Sequence, residues 1–213
     1  MFIVLLISLS VFSVISIYNL FTAPVLKRVA QSSDNRNFVS VLIPARNEEK
    51  NIEKCIKRIL AQDYQNKEII VLDDNSTDNT YRLVSSFSTS NVKVLKGKAL
   101  PANWFGKNWA CHQLAQEAKG EYLLFVDADV EVTPEVISSA VYELEKSNAA
   151  LLSIFPTQII KSFGEYLIVP LMNWLLLTFL PLRFVYSCSS KAFVAANGQF
   201  MLWKKDGYFK IGG

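Results

Sequence analysis

Residues 122–129, YLLFVDAD, form an apolar run of the length of one strand that leads directly into Asp127 and Asp129. In an extended chain alternate side chains point the same way, so both carboxylates face one side and the small Ala128 turns away. Two hard oxygen donors at a strand end suit Mg²⁺ or Mn²⁺, with waters and a substrate diphosphate as the other ligands. A pair of helix-capping aspartates is the alternative interpretation.

Two further apolar runs end in polar clusters. Residues 39–43 predict a buried strand ended by Pro44, and residues 68–72 predict a second strand that breaks into Asp73 and Asp74. We expect these clusters and the two later aspartates to converge at one edge of a sheet, where ligands bind beyond the carboxyl ends of the strands. Burying several carboxylates without a cation is costly, and a bound metal nucleotide would remove that cost.

Strand and helix patterns alternate along the chain, which predicts a mainly parallel sheet with helices on both faces. The predicted strands are 39–43, 68–72, 92–95 and 122–126, and the predicted helices are 52–60, 83–87, 107–119 and 134–144. No G-x-G-x-x-G follows a strand, and no glycine spacing matches a P-loop. Both nucleotide signatures are therefore excluded, which argues against a dehydrogenase and a P-loop NTPase.

Residues 1–26 contain no charged residue, so they predict a transmembrane anchor, with a cleaved signal peptide as the alternative. Lys27 and Arg28 follow it, and the positive-inside rule then places the rest of the chain in the cytosol, at the cell membrane. Residues 27–37 predict a linker, and residues 38–213 predict one folded domain.

Composition adds little about partners. A net charge of +3 from 22 basic and 19 acidic residues, with no basic stripe, argues against nucleic acid. The three cysteines match neither a disulfide framework nor a zinc spacing, and we assign no role to the single histidine, His112.

A second apolar stretch, residues 163–186, holds one acid, Glu165, and one base, Arg183, and is divided by Pro170 and Pro181. Its uninterrupted part is short for a membrane span, so the pattern favours an interfacial helix or a re-entrant segment. A core helix is the alternative.

Three ordered segments, 43–49 (IPARNEE), 71–78 (VLDDNSTD) and 125–129 (FVDAD), closely resemble the signatures of family 2 glycosyltransferases, over residues 38–213. The resemblance implies an α/β GT-A fold with a Rossmann-like, mainly parallel sheet, preceded here by one transmembrane helix. It also implies inverting, metal-dependent sugar transfer from a nucleotide-sugar donor, for which UDP is the expected nucleotide.

The resemblance also implies roles for single residues. Asp74 matches the aspartate that binds the base, Asp127 the aspartate near the ribose, and Asp129 the ligand of Mg²⁺ or Mn²⁺. For Asp73, a structural role and a substrate contact both stay open. The loop that lines uracil and ribose is matched by Pro44, Ala45, Arg46 and Glu48.

A narrower resemblance concerns residues 101–110, PANWFGKNWA, which are similar to the subgroup that glycosylates isoprenoid lipids, including hopanoid-associated and carotenoid-acid glycosyltransferases. It implies a membrane lipid acceptor. Lys107 would meet the diphosphate at a helix N-terminus, with a solvated lysine as the alternative. Asn197, Gly198 and Gln199 match an acceptor-site loop, with an ordinary turn as the alternative.

The resemblance implies that a Gly-Gly pair such as Gly212 and Gly213 is followed by a Glu-Asp pair that supplies the catalytic base. No base is assigned within the chain, and we expect it beyond Gly213, so these residues are expected to bind nucleotide without turnover. The rival hypothesis is an inactive scaffold or binding subunit on the same fold, and a nucleotidyltransferase is a weaker one. The sequence does not reveal the sugar.

Overall fold

The computed structural model describes residues 1–29, 37–88, 91–188 and 190–213. The chain divides into two compact units. The apolar unit consists of Met1–Val25 and Thr157–Ala195, and the sheet unit consists of Leu26–Pro156 and Ala196–Gly213. The predicted linker lies mostly on residues 30–36, outside the described residues.

The sheet unit contains, in its described residues, a six-stranded sheet of order β3-β2-β1-β4-β6-β5. Strands β1 to β4 pair in parallel, whereas β6 runs antiparallel to both β4 and β5. The predicted mainly parallel sheet is therefore confirmed. The strands are β1 Val39–Ala45, β2 Lys67–Asp73, β3 Val92–Lys96, β4 Tyr122–Val126, β5 Leu151–Ser153 and β6 Phe200–Lys204.

Helices connect these strands and form the apolar unit. In the sheet unit the helices are α2 Ile52–Leu60, α3 Thr80–Ser85, α4 Gly106–Glu117, α5 Val136–Lys146 and α8 Lys205–Lys210. In the apolar unit they are α1 Phe2–Thr22, α6 Phe163–Phe179 and α7 Leu182–Ser187.

The prediction that Pro44 ends the first strand is wrong by two residues, since β1 continues to Ala45. Pro44 pairs with Leu72 of β2, whereas β4 pairs only with residues 39–42 of β1. Proline lacks an N–H donor and is tolerated where a strand has a neighbour on one side only. The short β5 and the β6 strand were not predicted, because three and five residues carry too little periodicity.

The core lies on both faces of the sheet, as alternation along β1 requires. Val41 and Ile43 face a cluster that includes Ile52 and Ile56 of α2, whereas Leu42 faces the opposite cluster with Leu114 of α4. Helices on both faces are thus confirmed, and the buried two-sided strands explain the continuous apolar runs in the sequence.

In the apolar unit, α1 is long and apolar enough to cross a membrane. Its most apolar 18-residue window has a mean hydropathy of 2.3, and 6% of that window is buried. Among the described residues of α6, only Thr178 is buried. The exposure of α6 favours the interfacial or re-entrant segment over the core helix, because a core helix hides its apolar side chains inside the protein.

Gly120 lies two residues before β4 and against the start of β1, where it leaves no room for a Cβ, and we expect Gly120→Ala to destabilise the sheet unit. A Cβ at this position would lie 2.5 Å from the backbone nitrogen of Ser40 and 2.7 Å from the carbonyl oxygen of Phe38. Backbone atoms in a paired strand cannot move aside, so the free energy of unfolding should fall by about 3 kcal/mol. Chemical unfolding followed by tryptophan fluorescence measures this loss. The matched control is Gly198→Ala, where no atom lies within 4 Å of the added Cβ, and an equal loss in both variants would contradict the packing argument.

Candidate active site

The carboxyl ends of β1, β2 and β4 border one open cleft of about 240 Å³. Eight of the residues that the sequence singled out for nucleotide-sugar and metal binding line it. They are Pro44, Ala45, Arg46, Glu48, Asp74, Lys107, Asp127 and Asp129. Gly106, Ala110 and Ala128 complete the lining, and their small side chains leave room for a ligand.

Strand register brings the first two polar clusters together. Ala45 at the end of β1 pairs with Asp73 at the end of β2, and the backbone N–H of Asp74 donates to the carbonyl oxygen of Ala45 at 2.8 Å. The residues that follow the two strands therefore start from adjacent points at the carboxyl ends of β1 and β2. Neither position depends on a long flexible connection.

Hydrogen bonds also join the two loops that follow these strands. The backbone N–H of Glu48 donates to the Thr80 hydroxyl at 2.7 Å, and the N–H of Thr77 donates to Asn47 Oδ1 at 2.8 Å. Asn47 and Asn75 have φ values of 56° and 55°, in the left-handed region that asparagine tolerates better than most residues. Tight turns and cross-loop bonds thus hold one wall of the cleft in place.

Each of the two cations in the cleft lies next to a carboxylate. Lys107 Nζ is 2.7 Å from Asp127, and Arg46 Nη1 is 3.8 Å from Asp74. The cationic side chains are 54% and 65% exposed, respectively. These pairs are therefore solvated enough to open when a charged ligand competes for either partner.

Asp129 differs from the other carboxylates of the cleft. It is exposed at the cleft wall and forms no hydrogen bond or ion pair with the residues that the structure describes. An unpaired carboxylate at a cleft is an available ligand for a hard cation. Across the described ranges no group of three His, Cys, Asp or Glu residues could hold a metal ion by itself. A cation here would need oxygen ligands from a bound molecule or from water.

Asp73 is 5% exposed and does not line the cleft. Its Oδ2 accepts a long bond from the backbone N–H of Ser76 at 3.4 Å, and its Oδ1 has no hydrogen-bond partner among the described residues. Adjacent strand residues point to opposite faces, so Asp73 faces away from the side that Asp74 occupies. This placement favours the structural role over the substrate contact.

Gly97, which the sequence patterns did not single out, lies against Asp74. A Cβ at Gly97 would lie 3.1 Å from Asp74 Oδ1 and 3.2 Å from the carbonyl oxygen of Asp73. Gly97 directly follows β3, and its N–H donates to that same carbonyl at 2.8 Å. A glycine directly after a strand was the available signal, because it permits close approach of one backbone segment to another.

The predicted acceptor loop, Asn197, Gly198 and Gln199, does not line the cleft. It lies beside Asp127, whose backbone N–H donates to the carbonyl oxygen of Gln199 at 3.0 Å. The loop is anchored at its other end, where the N–H of Asn197 donates to the Ser153 hydroxyl at 2.7 Å. It thus borders the aspartates from the side of β6 and β5.

Comparison with known proteins gives this geometry a context. The model of glycosyl transferase family 2 matches residues 40–202. A 4,4'-diaponeurosporenoate glycosyltransferase of Staphylococcus aureus (strain USA300) is 34% identical over 134 residues, which are 62% of this chain and 35% of that protein. The chain therefore spans about a third of the length of the curated relatives it matches.

Two solved structures share the fold. The mannosyltransferase PcManGT of Pyrobaculum calidifontis, in complex with GDP-Man and Mn²⁺, has a TM-score of 0.62 at 20% identity, covering 97% of this chain and 54% of that one. Glucosyl-3-phosphoglycerate synthase of Mycobacterium tuberculosis, in complex with UDP, has a TM-score of 0.55 at 21% identity, covering 84% of this chain and 63% of that one. Both are GT-A glycosyltransferases, and the likeness confirms the GT-A fold predicted from the sequence.

Two thiols of the sheet unit should resist modification, because thiolate is the reactive form. Burial raises the pKa of Cys55 to about 12, with further contributions from Asp129 and Glu48, and burial raises the pKa of Cys111 to about 11. At about pH 8 the thiolate fractions are then on the order of 1 in 10⁴ and 1 in 10³.

The exposed Cys188 should therefore be the single thiol that a maleimide labels quickly in the folded, detergent-solubilised chain. Mass spectrometry after a short reaction measures the number of labels. Cys188→Ser should remove fast labelling, and denaturant should restore it at the other two thiols. Rapid labelling of Cys55 in the folded chain would contradict its burial in the core.

Proposed function

Because the chain belongs to glycosyl transferase family 2, we propose that it transfers a sugar from a UDP-sugar donor to a membrane lipid. The transfer would invert the configuration at C1 of the sugar. The observation that carries this proposal is the single cleft in which all eight predicted donor and metal residues lie. Four carboxylates and two cations at the end of a parallel sheet suit a ligand that combines a base, hydroxyl groups and a diphosphate.

The donor would lie along the cleft from the β1 and β2 loops toward α4. Asp74 would accept a hydrogen bond from the base, while Asp127 would accept one from the ribose. Lys107 lies in the first turn of α4, where backbone N–H groups and the helix dipole favour an anion. We assign the diphosphate to this point, because the Lys107 ammonium can leave Asp127 and donate to a phosphate oxygen.

The cleft also fits a divalent cation. Asp129 offers an unpaired carboxylate, and the shortage of other protein ligands suits Mg²⁺ or Mn²⁺, which keep waters and bind substrate phosphates. When bound, such an ion stabilises the negative charge that develops on the leaving diphosphate. PcManGT, on the same fold, was solved with GDP-Man and Mn²⁺, which supports the assignment.

The acceptor would approach from the side of the Asn197 to Gln199 loop, which contacts the backbone of Asp127. Its hydroxyl must lose a proton as the bond to C1 forms, and this requires a carboxylate that neither the base, the ribose nor the metal engages. We propose an isoprenoid lipid as the acceptor. The relative named as a 4,4'-diaponeurosporenoate glycosyltransferase supports this class.

We further propose that α1 spans the cell membrane and that the sheet unit lies on the cytosolic side. α1 has 21 residues and extends about 31 Å, which matches the hydrocarbon thickness of a bilayer. Lys27 and Arg28 follow it, and basic residues mark the cytosolic end of a span. A lipid acceptor and a soluble donor would then meet at one membrane surface.

The rival hypothesis is a scaffold that keeps the fold without binding nucleotide. Family membership and the charge pattern of the cleft both favour the enzyme. Titration of UDP into the chain by calorimetry, with and without Mn²⁺, separates the two. Binding that depends on the metal supports the proposal, and absence of binding under both conditions supports the scaffold.

Asp129→Asn tests the metal assignment. Loss of one of few protein ligands should weaken Mn²⁺-dependent binding of UDP roughly tenfold or more. Mutation of residues that merely support a metal ligand already lowers metal affinity by about that factor. Asp73→Asn should have a smaller effect, because Asp73 does not line the cleft. The charge-matched control is Asp206→Asn, at an exposed carboxylate outside the cleft. Unchanged Mn²⁺-dependent binding in Asp129→Asn would reject this residue as the ligand.

Lys107→Met tests the diphosphate assignment with the hydrocarbon part of the side chain kept. A charge-assisted hydrogen bond contributes about 2 kcal/mol, so UDP binding should weaken roughly tenfold or more. Binding of uridine, which has no phosphate, should stay unchanged. Lys98→Met, at an exposed lysine before the same helix, removes an equal charge and should change neither ligand. An equal loss for UDP and uridine would show that Lys107 acts on the shape of the cleft instead.

A further inference from the structure

Asn19 of α1 is 1% exposed and uses its whole side-chain amide within the apolar unit. Its Nδ2 donates to the carbonyl oxygens of Leu177 and Leu180, each at 2.7 Å. Its Oδ1 accepts from the backbone N–H of Leu182 at 2.8 Å. These three bonds meet at the break between α6 and α7, where Pro181 prevents the helix from continuing.

Such a set of bonds has a specific physical meaning. A helix break leaves carbonyl and N–H groups without partners inside the helix, and on a wet surface water satisfies them. In hydrocarbon no water is present, so a break is tolerated only where neighbouring helices or polar side chains satisfy the freed groups. An amide that serves both sides of the break is required wherever water is absent, in hydrocarbon as in a protein interior.

The exposed apolar side chains of α6 also favour a hydrocarbon environment. α6 carries one charged residue, Glu165, in its first turn, and the long side chains that follow are exposed. An interfacial helix needs a polar face opposite its apolar face, whereas a helix that is apolar all round is buried in protein or in lipid. The described residues of this chain leave most of α6 uncovered. The exposed set includes Leu167, Ile168, Leu171, Met172, Trp174, Leu175, Leu177 and Phe179.

Contacts with α1 give the depth of the break. The rings of Phe12 and Phe179 are 4.6 Å apart, and the Ser16 hydroxyl donates to the Thr178 hydroxyl at 3.2 Å. Asn19 lies about 5 Å from the C-terminal end of α1, and Phe12 lies about 15 Å from it, near the middle of that helix. The end of α6 therefore packs along the half of α1 that would lie between the bilayer centre and the cytosolic surface.

We propose that α6 and α7 form a re-entrant segment that enters the hydrocarbon layer of the bilayer and turns back, with Asn19 holding the turn at its depth. The inference rests on the proposed function in one respect, that α1 spans the membrane. It goes beyond the proposed function because it assigns a second lipid-inserted element and a positioning residue for it. The partner is the acyl-chain layer itself, and the surface that meets it is the exposed side of α6.

The experiment measures how deeply α6 lies in the membrane, with the full chain in vesicles of phosphatidylcholine and phosphatidylglycerol. Leu175→Cys in a Cys188→Ala background is labelled with an environment-sensitive fluorophore, because Leu175 is exposed near the end of α6 without contacting Asn19. Spin labels attached to the lipid, either in the middle of the acyl chain or at the headgroup, quench the fluorescence of this label. We expect the mid-chain label to quench about twofold more strongly, since the fluorophore would lie inside the hydrocarbon layer.

Asn19→Leu should reverse that ratio, because the broken helix then exposes unsatisfied backbone groups that return to the surface. Ser10→Leu is the matched control, since Ser10 bonds only within its own helix, to the carbonyl oxygen of Leu6, and gives α1 the same added side chain. Asn19→Ala serves as a second variant if the leucine variant does not insert. Stronger headgroup quenching with native Asn19 would overturn the re-entrant segment, and an unchanged ratio in both Asn19 variants would overturn the role of Asn19.

Mn²⁺-dependent binding of UDP is measured on the same samples, which keeps the two proposals apart. Loss of nucleotide binding with mid-chain quenching intact contradicts the donor site alone. Loss of mid-chain quenching with nucleotide binding intact contradicts the re-entrant segment alone.

Discussion

The pairing of β1 on both sides is the constraint on which the site depends. β2 pairs along the whole of β1, whereas β4 pairs only along its first four residues. The last residues of β1 are thus held on one side by β2 and left open toward the aspartates that follow β4. A cleft forms at this point because neighbouring strands end at different heights, and the polar residues after each strand surround it.

Charge in the cleft follows from the same constraint. The carboxyl ends of the strands bring together carboxylates that would repel one another, and each cation lies where it offsets the charge of one of them. Lys107 reaches Asp127 from the first turn of α4, so this pair joins a helix to a strand end. Asp129 is exposed and left unpaired among the described residues, so the cleft keeps one carboxylate free to bind a cation.

The two units follow opposite solvent rules. The sheet unit hides apolar side chains on both faces of β1 and presents polar groups at the strand ends. The apolar unit does the reverse, since it buries Asn19 and Thr178 and exposes long apolar side chains on α1 and α6. Proteins in water bury apolar groups, whereas helices in lipid can expose them but must satisfy every polar group internally. The exposed apolar side chains of α6 therefore suit a lipid environment, as the proposed re-entrant segment requires.

The sequence by itself determined the first four strands, their parallel sheet and the residues around the cleft, because buried strands leave continuous apolar runs and their polar ends are abrupt. Roles for Asp74, Asp127 and Asp129 follow from family resemblance and stay predictions. Only the tertiary structure decided that β5 and β6 join the sheet antiparallel, that Gly97 lies against Asp74, and that Asn19 bonds to the break after α6. Each of these pairs residues far apart in the chain, and neither periodicity nor local propensity encodes which distant backbone group a side chain will meet.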